Sequence, residues 1–252
     1  MLHPTRFVFE RNQRTAQLDL TNSGSEVSTF RISLENKRMT ETGQLVVVTS
    51  PLPGELFADK IIQFSPRQVV LPPGSGQTVR IVLRKPANLA PGEYRSHLVF
   101  TRLPDARSTS VEKSDALAEK EIGIQIIPLV GASIPIIVEH GNTLATSTLS
   151  NLKLTKEKPT EPYVLELNIN RSGSRSLYGN IVVHFTPNGK SEEELAKVNG
   201  IAVYAPNQMR KIRLELHSKS LKVLARGKLK VGYWEISKSG KKLLSEATLG
   251  LP

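Results

Sequence analysis

The chain has 252 residues, with 34 Lys and Arg against 23 Asp and Glu, five His and no Cys. That length allows one large domain or two modest ones, at roughly 100–200 residues each. The lack of Cys excludes a disulfide scaffold, thiolate chemistry and any Cys-ligated zinc or iron–sulfur site.

The net charge of +11 is unevenly spread. Residues 1–139 carry 16 basic against 14 acidic side chains, and residues 140–252 carry 18 against 9. The basicity therefore belongs to the second half, as a solvated surface or as a basic docking face. The most apolar stretch, residues 122–138, is interrupted by Gly123, Gln125, Pro128, Gly131, Ser133 and Pro135. It falls short of the ~18–20 apolar residues of a membrane-spanning helix, so no membrane insertion is expected. The opening Met1-Leu2-His3-Pro4-Thr5-Arg6 has neither the basic nor the apolar region of a signal peptide.

Strand signals run the length of the chain. Arg6-Phe7-Val8-Phe9-Glu10 and Ala16-Gln17-Leu18-Asp19-Leu20 alternate polar and apolar residues, which gives one buried and one wet face. Asn22-Ser23-Gly24-Ser25 is turn chemistry. Thr29-Phe30-Arg31-Ile32-Ser33-Leu34 alternates again. Val69-Val70-Leu71 runs into the turn Pro72-Pro73-Gly74-Ser75-Gly76, and the strand pattern at 77–83 follows. Another strand is expected at 94–102, after Pro91-Gly92.

About seven strands fit before residue 139, close to an immunoglobulin-like count. The second half repeats the pattern at 164–169, 179–185, 211–216 and 227–233. The single helical-looking piece, 192–197, is too short to change the class. The expected fold is all-β, two tandem immunoglobulin-like β-sandwiches, with domains at 1–139 and 140–252. Within the first domain, residues 103–120 form a polar segment, long for a loop in a compact domain.

Recognisable catalytic chemistry is missing. The chain has no Gly-x-Ser-x-Gly, His-Glu-x-x-His, Gly-x-x-x-x-Gly-Lys or Gly-x-Gly-x-x-Gly. His3, His97, His140, His184 and His217 are scattered, with no metal-ligand spacing. The reading is therefore not an enzyme, with no cofactor and no metal. Tyr233-Trp234 beside Lys228, Lys230 and Lys238 is the one hint of nucleic-acid binding. An aromatic pair at a strand end, one ring turned into the core, accounts for it better, so no nucleic-acid partner is expected.

Pro4-Thr5-Arg6-Phe7-Val8-Phe9 and Leu18-Asp19-Leu20-Thr21-Asn22 resemble the opening strands of periplasmic pilus chaperones of the chaperone–usher pathway. The resemblance continues in order through Phe64-Ser65-Pro66-Arg67, Leu71-Pro72-Pro73-Gly74-Ser75-Gly76-Gln77-Thr78-Val79-Arg80, Leu89-Ala90-Pro91-Gly92-Glu93-Tyr94-Arg95-Ser96-His97-Leu98 and Ile134-Pro135-Ile136-Ile137-Val138. It covers residues 4–139; beyond 140 it rests on architecture, with local echoes at 176–179 and 202–204.

The resemblance implies a non-catalytic chaperone that captures pilin subunits in the periplasm, its signal peptide removed, and delivers them to an outer-membrane usher. The subunit lacks one strand, and the chaperone lends the last strand of its first domain. Here that strand is expected around Ile122, Ile124 and Ile126, which share one face. By pattern alone they also fit an ordinary core strand. Arg6 matches the first of two basic residues that anchor the subunit's C-terminal carboxylate. The second, a Lys in the family, aligns near Ser133; either another basic residue replaces it or the anchor is single. Ser96 stands where the family commonly has a Glu. The free chaperone is expected to cover its unpaired edge, by dimerising or by folding 103–120 over it. The competing reading is a surface adhesion or ligand-binding sandwich without chaperone activity.

Overall fold

The computed structural model describes residues 1–9, 12–104, 131–156, 158, 161–189, 191–216, 226–237 and 240–251. In chain order the strands are β1 (Leu2–His3), β2 (Phe7–Phe9), β3 (Thr15–Thr21), β4 (Ser28–Glu35), β5 (Lys37–Met39) and β6 (Leu45–Val47). There follow β7 (Ile62–Ser65), β8 (Gln68–Leu71), β9 (Gly76–Leu83), β10 (Gly92–Arg102) and β11 (Gly131–His140). The second half adds β12 (Ala145–Thr155), β13 (Tyr163–Gly173), β14 (Leu177–Pro187), β15 (Glu193–Val203), β16 (Met209–Leu216), β17 (Gly227–Ser237) and β18 (Gly240–Leu251). The described residues form no helix. The chain separates into two compact units. The first holds Met1–Asn36, Leu56–Ala90 and Tyr94–His140; the second holds Lys37–Glu55, Pro91–Glu93 and Gly141–Pro252.

In the first unit, one sheet runs β1-β3-β9-β7 and the other β2-β11-β10-β4-β8. This is the immunoglobulin path, with the opening strand divided between the sheets: β1 pairs with β3, and β2 crosses to pair parallel with β11. Alternation decides which side chains fill the space between the sheets. Ala16, Leu18 and Leu20 of β3 meet Val79, Ile81 and Leu83 of β9 on one side. Ile32, Leu98, Phe100, Ile134, Ile136 and Val138 close the core from the other.

The second unit packs a three-stranded sheet, β12-β13-β16, with a four-stranded one, β15-β14-β17-β18. Leu165, Leu167 and Ile169 of β13 share a core with Ile181, Val183 and Phe185 of β14 and with Leu229, Val231 and Tyr233 of β17. Tyr233 is the inward ring of the aromatic pair and Trp234 the half-buried outward one. The helical-looking piece at 192–197 is instead extended: β15 pairs with β14, setting Glu193 beside Phe185 and Glu194 beside His184. Glu, Leu, Ala and Lys favour helix, but sheet pairing overrides a weak local preference over so few residues.

Arg171 is the polar keystone of the second unit. It is buried, and its guanidinium donates to four carbonyls: Asn207 (2.6 Å), Gly173 (2.8 Å), Arg175 (2.9 Å) and Pro206 (3.1 Å). Burial pushes its pKa down while the carboxylate of Glu93 opposes the shift. Glu93 accepts from the Ser176 backbone N–H (2.7 Å) and hydroxyl, and that hydroxyl in turn accepts from the Ala205 N–H (2.9 Å). The network ties the ends of β13 to the turn after β15. Arg171→Met keeps much of the apolar stem but strands several carbonyl acceptors at about 1–3 kcal/mol each, with some relief by water. Urea unfolding should show a loss of about 3–5 kcal/mol in the second unit's transition. A loss below about 1 kcal/mol would mean that water replaces the guanidinium.

Candidate functional site

The family resemblance directs attention to β2, β11 and β10, which lie side by side with β11 in the middle. Phe7 and Phe9 turn inward, their rings 4.9 Å apart edge to face, so alternation turns Arg6 and Val8 outward. On β11 the inward residues are Ile134, Ile136 and Val138, which leaves Ser133, Pro135 and Ile137 outward. The register sets Phe7 beside Ile136 and Val8 beside Ile137. Arg6, just ahead of β2, thus stands at the level of Pro135, on the same face as Ser133. Arg6 is half-buried and Ser133 is exposed.

Along β10, Tyr94, Leu98 and Phe100 enter the core, so Arg95, His97, Val99 and Thr101 share the outward face with Arg6. Arg95 and His97 are nevertheless buried, at 4% and 0% exposure. His97 pairs across the sheet with Glu35, and Thr101 with Arg31. β2, β10 and β11 carry no Lys, and Arg95 on β10 and Arg31 on β4 are arginines of the same sheet face among the described residues. Nothing in the simple alternation of 94–102 indicated that its polar members would be buried.

Ser96 has a packing role. Its hydroxyl accepts from the Ala58 N–H (2.9 Å) and donates to the Asn36 side-chain oxygen (2.6 Å), with the residue fully buried. It pins the chain at Asn36 and Ala58 to β10, together with the Arg95 N–H donating to the Leu56 carbonyl (2.9 Å). Nearby in the fold, Tyr94 donates its hydroxyl proton to the Ala90 carbonyl (2.8 Å), and burial raises its pKa. At the far end of β11, Lys85 donates to the Glu139 carbonyl (3.0 Å). Its pKa is lowered, chiefly by burial and then by Arg14.

Where β11 begins, the two sheets of the first unit leave an apolar cavity of about 480 Å³. Leu2, Leu20, Phe30, Phe100 and Ile134 line it, with the partly exposed Arg102 among them. Its size and lining suit apolar side chains. The expected donor residues Ile122, Ile124 and Ile126, and most of the segment 103–120, lie outside the described residues. No cluster of His, Asp or Glu able to hold a metal occurs among the described residues. In the second unit several basic side chains already have acidic neighbours: Lys211 with Glu41 (2.8 Å), Lys230 with Glu192 (3.2 Å) and Arg175 with Glu235 (3.4 Å).

The fold class is thus all-β, two immunoglobulin-like sandwiches, as the strand pattern predicted. No protein-family model and no curated protein matches the chain. The solved structures it resembles over its whole length include pilus and fimbrial chaperones. Among them is the CsuC–CsuE chaperone–tip adhesion subunit pre-assembly complex of Acinetobacter baumannii, at 13% identity and TM-score 0.49, covering 100% of this chain and 97% of that one. The CupB2 chaperone of Pseudomonas aeruginosa matches at 12% identity and TM-score 0.46, covering 100% and 99%. The SafA pilin–SafB chaperone complex of Salmonella enterica matches at 13% identity and TM-score 0.44, covering 100% and 95%.

Removing the Ser96 hydroxyl leaves a buried N–H and a partly buried amide oxygen without their partner. Ser96→Ala is expected to cost the first unit about 2–3 kcal/mol in chemical denaturation. A neutral result would show that the Ala58 turn is not held by this bond.

Proposed function

We propose that the chain is a periplasmic, ATP-independent assembly chaperone that captures fimbrial subunits by lending them a strand and passes them to an outer-membrane usher. The observation that carries this reading is the setting of Arg6. The motif Pro4-Thr5-Arg6-Phe7-Val8-Phe9 runs into β2 (Phe7–Phe9), which pairs in parallel with β11, and alternation turns Arg6, just ahead of the strand, to the face that bears Ser133 and Pro135. A guanidinium held beside the last strand of the first unit suits a subunit's C-terminal carboxylate, because it is planar, permanently charged and bidentate. Arg95 adds a second guanidinium to the same face. In sequence the alternating isoleucines at 122–126 precede β11, whose first residues line the apolar cavity. In this reading residues 1–139 do the capturing, and 140–252 form the second sandwich.

Each half of the proposal has its own test, read as the yield of fimbrial subunit co-purified after co-expression with subunits encoded beside the chaperone gene. Arg6→Ala should lower that yield, since a buried charge-assisted contact is worth about 2–5 kcal/mol of affinity. The melting temperature should change little, and Arg6→Lys should restore the yield only in part. Equal yields from wild type and Arg6→Ala would remove the anchor assignment.

Ile124→Asp should abolish capture, because a carboxylate would have to enter an apolar groove at a cost of several kcal/mol. The variant should keep a cooperative melt. If the melt collapses instead, Ile124 belongs to the core and the lent face is misassigned.

A further inference from the structure

Along β16 the inward row is Arg210, Ile212, Leu214 and Leu216, one cation followed by three buried apolar residues. Register sets Arg210 beside Ile169, which is fully buried. A guanidinium therefore enters at the end of the second unit's core. Its Nη1 donates to the Ala202 carbonyl (2.7 Å). Its Nε is buried and meets no acceptor among the described residues. The turn between β5 and β6 packs against that side: Gly43 has a φ of +87°, and a Cβ there would overlap the guanidinium. Burial pushes the pKa of Arg210 down, and the groups that oppose the shift are Tyr233 and Tyr204 rather than a carboxylate. A cation held this way is costly, and any anion that reaches it stabilises it.

Arg210 lines an open cavity of about 760 Å³, where β15 and β16, at the edges of the second unit's two sheets, approach each other. That volume lies within the ~300–1,000 Å³ of small-molecule sites. Val198, Ile201, Ile212 and Leu214 give it an apolar wall. Its charge is one-sided: among the described residues Lys153, Arg210, Lys211 and Arg213 line it with a single carboxylate, Glu166. Glu166 lies 3.8 Å from Arg213, and Lys211 pairs with Glu41 (2.8 Å). Counting Glu41, four cations still face two carboxylates. β12 bulges between Ser150 and Lys153, with Asn151 at a φ of 55°, and both Asn151 and Lys153 border the cavity.

We propose that this cavity is a binding site for an amphipathic carboxylate, an acid with a medium-length alkyl body. Its carboxylate pairs with Arg210, and its body lies along Val198, Ile201, Ile212 and Leu214. A bare anion would leave the apolar wall wet, and an uncharged alkyl chain would leave the guanidinium without a counter-charge; a fatty acid answers both. With Nε under Gly43, the terminal nitrogens of Arg210 are the ones that meet the carboxylate, a charge-assisted contact. Lys153, exposed at the rim, adds attraction that salt screens. The site lies wholly within the second unit, away from Arg6, and the inference stands whether or not the chain captures fimbrial subunits.

Titration calorimetry of the full chain with decanoate, kept below its micelle concentration, should show saturable binding at a single site. Decanol keeps only the body and acetate only the head, so each should bind weaker by about tenfold or more. Arg210→Gln should weaken decanoate by about tenfold or more, and Arg210→Lys should recover part of the loss. Lys153→Glu reverses an exposed rim charge, so it should weaken decanoate about threefold while the thermal melt stays unchanged. That variant and the three-ligand series decide the matter even where Arg210→Gln fails to fold. Lys228→Glu makes the same charge change at an exposed position outside the cavity and should leave the affinity unaltered. Absence of saturable binding would overturn the proposal, as would equal affinity for decanol or acetate. So would equal losses from Lys153→Glu and Lys228→Glu, which would mark general attraction to a basic surface.

Discussion

The first unit depends on β11 being held from both sides. Its parallel partner β2 and its other neighbour β10 are far away in sequence, so the strand is ordered only when the sheet closes around it. Once there, its inner residues Ile134, Ile136 and Val138 are almost wholly buried and complete the core. Each contributes about 1.5–3 kcal/mol, enough in sum to offset the ordering of a late strand. Its outer residues simultaneously set the face that Arg6 joins. Core closure and the setting of Arg6 are thus one event, and the register of β2 against β11 serves both. A slip of one residue would send Arg6 into the core and Phe7 into water.

The second unit solves a different problem. Its strands are long and its apolar core is continuous, but turn carbonyls at the ends of β13 and β15 need donors. A single arginine, Arg171, supplies four of the bonds, and Glu93 sits close enough to favour its charge. Burying a guanidinium is costly unless nearly every N–H is satisfied, and here four carbonyl acceptors meet that condition. The arrangement trades desolvation for a fixed chain path at the sandwich end.

Immunoglobulin-like sandwiches expose edges, and proteins that keep them usually guard them. In the proposed function, lending a strand would use unsatisfied main-chain groups as the source of affinity, with the alternating Ile122, Ile124 and Ile126 of the sequence adding selectivity.

Period-two alternation made the architecture legible: the inward faces at 16–20, 79–83, 165–169 and 181–185 follow directly from it, because a strand with one wet side must place its apolar residues on the other. The motif around Arg6 marked that residue as the candidate anchor only through its resemblance to a family. The alternation reading did not extend to the extended state of 192–197, where local preference points the other way and pairing with β14 prevails. It did not reveal the depth at which Arg95, Ser96 and His97 lie, since alternation tells which residues share a face and not whether that face is wet. Nor did it mark β5 and β6 as one hairpin. By itself, then, the sequence determined the all-β class and the inward and outward sets of most strands. Only the tertiary structure decided register, partner strands and burial, because these arise from contacts between segments distant in the chain, which no local pattern can encode.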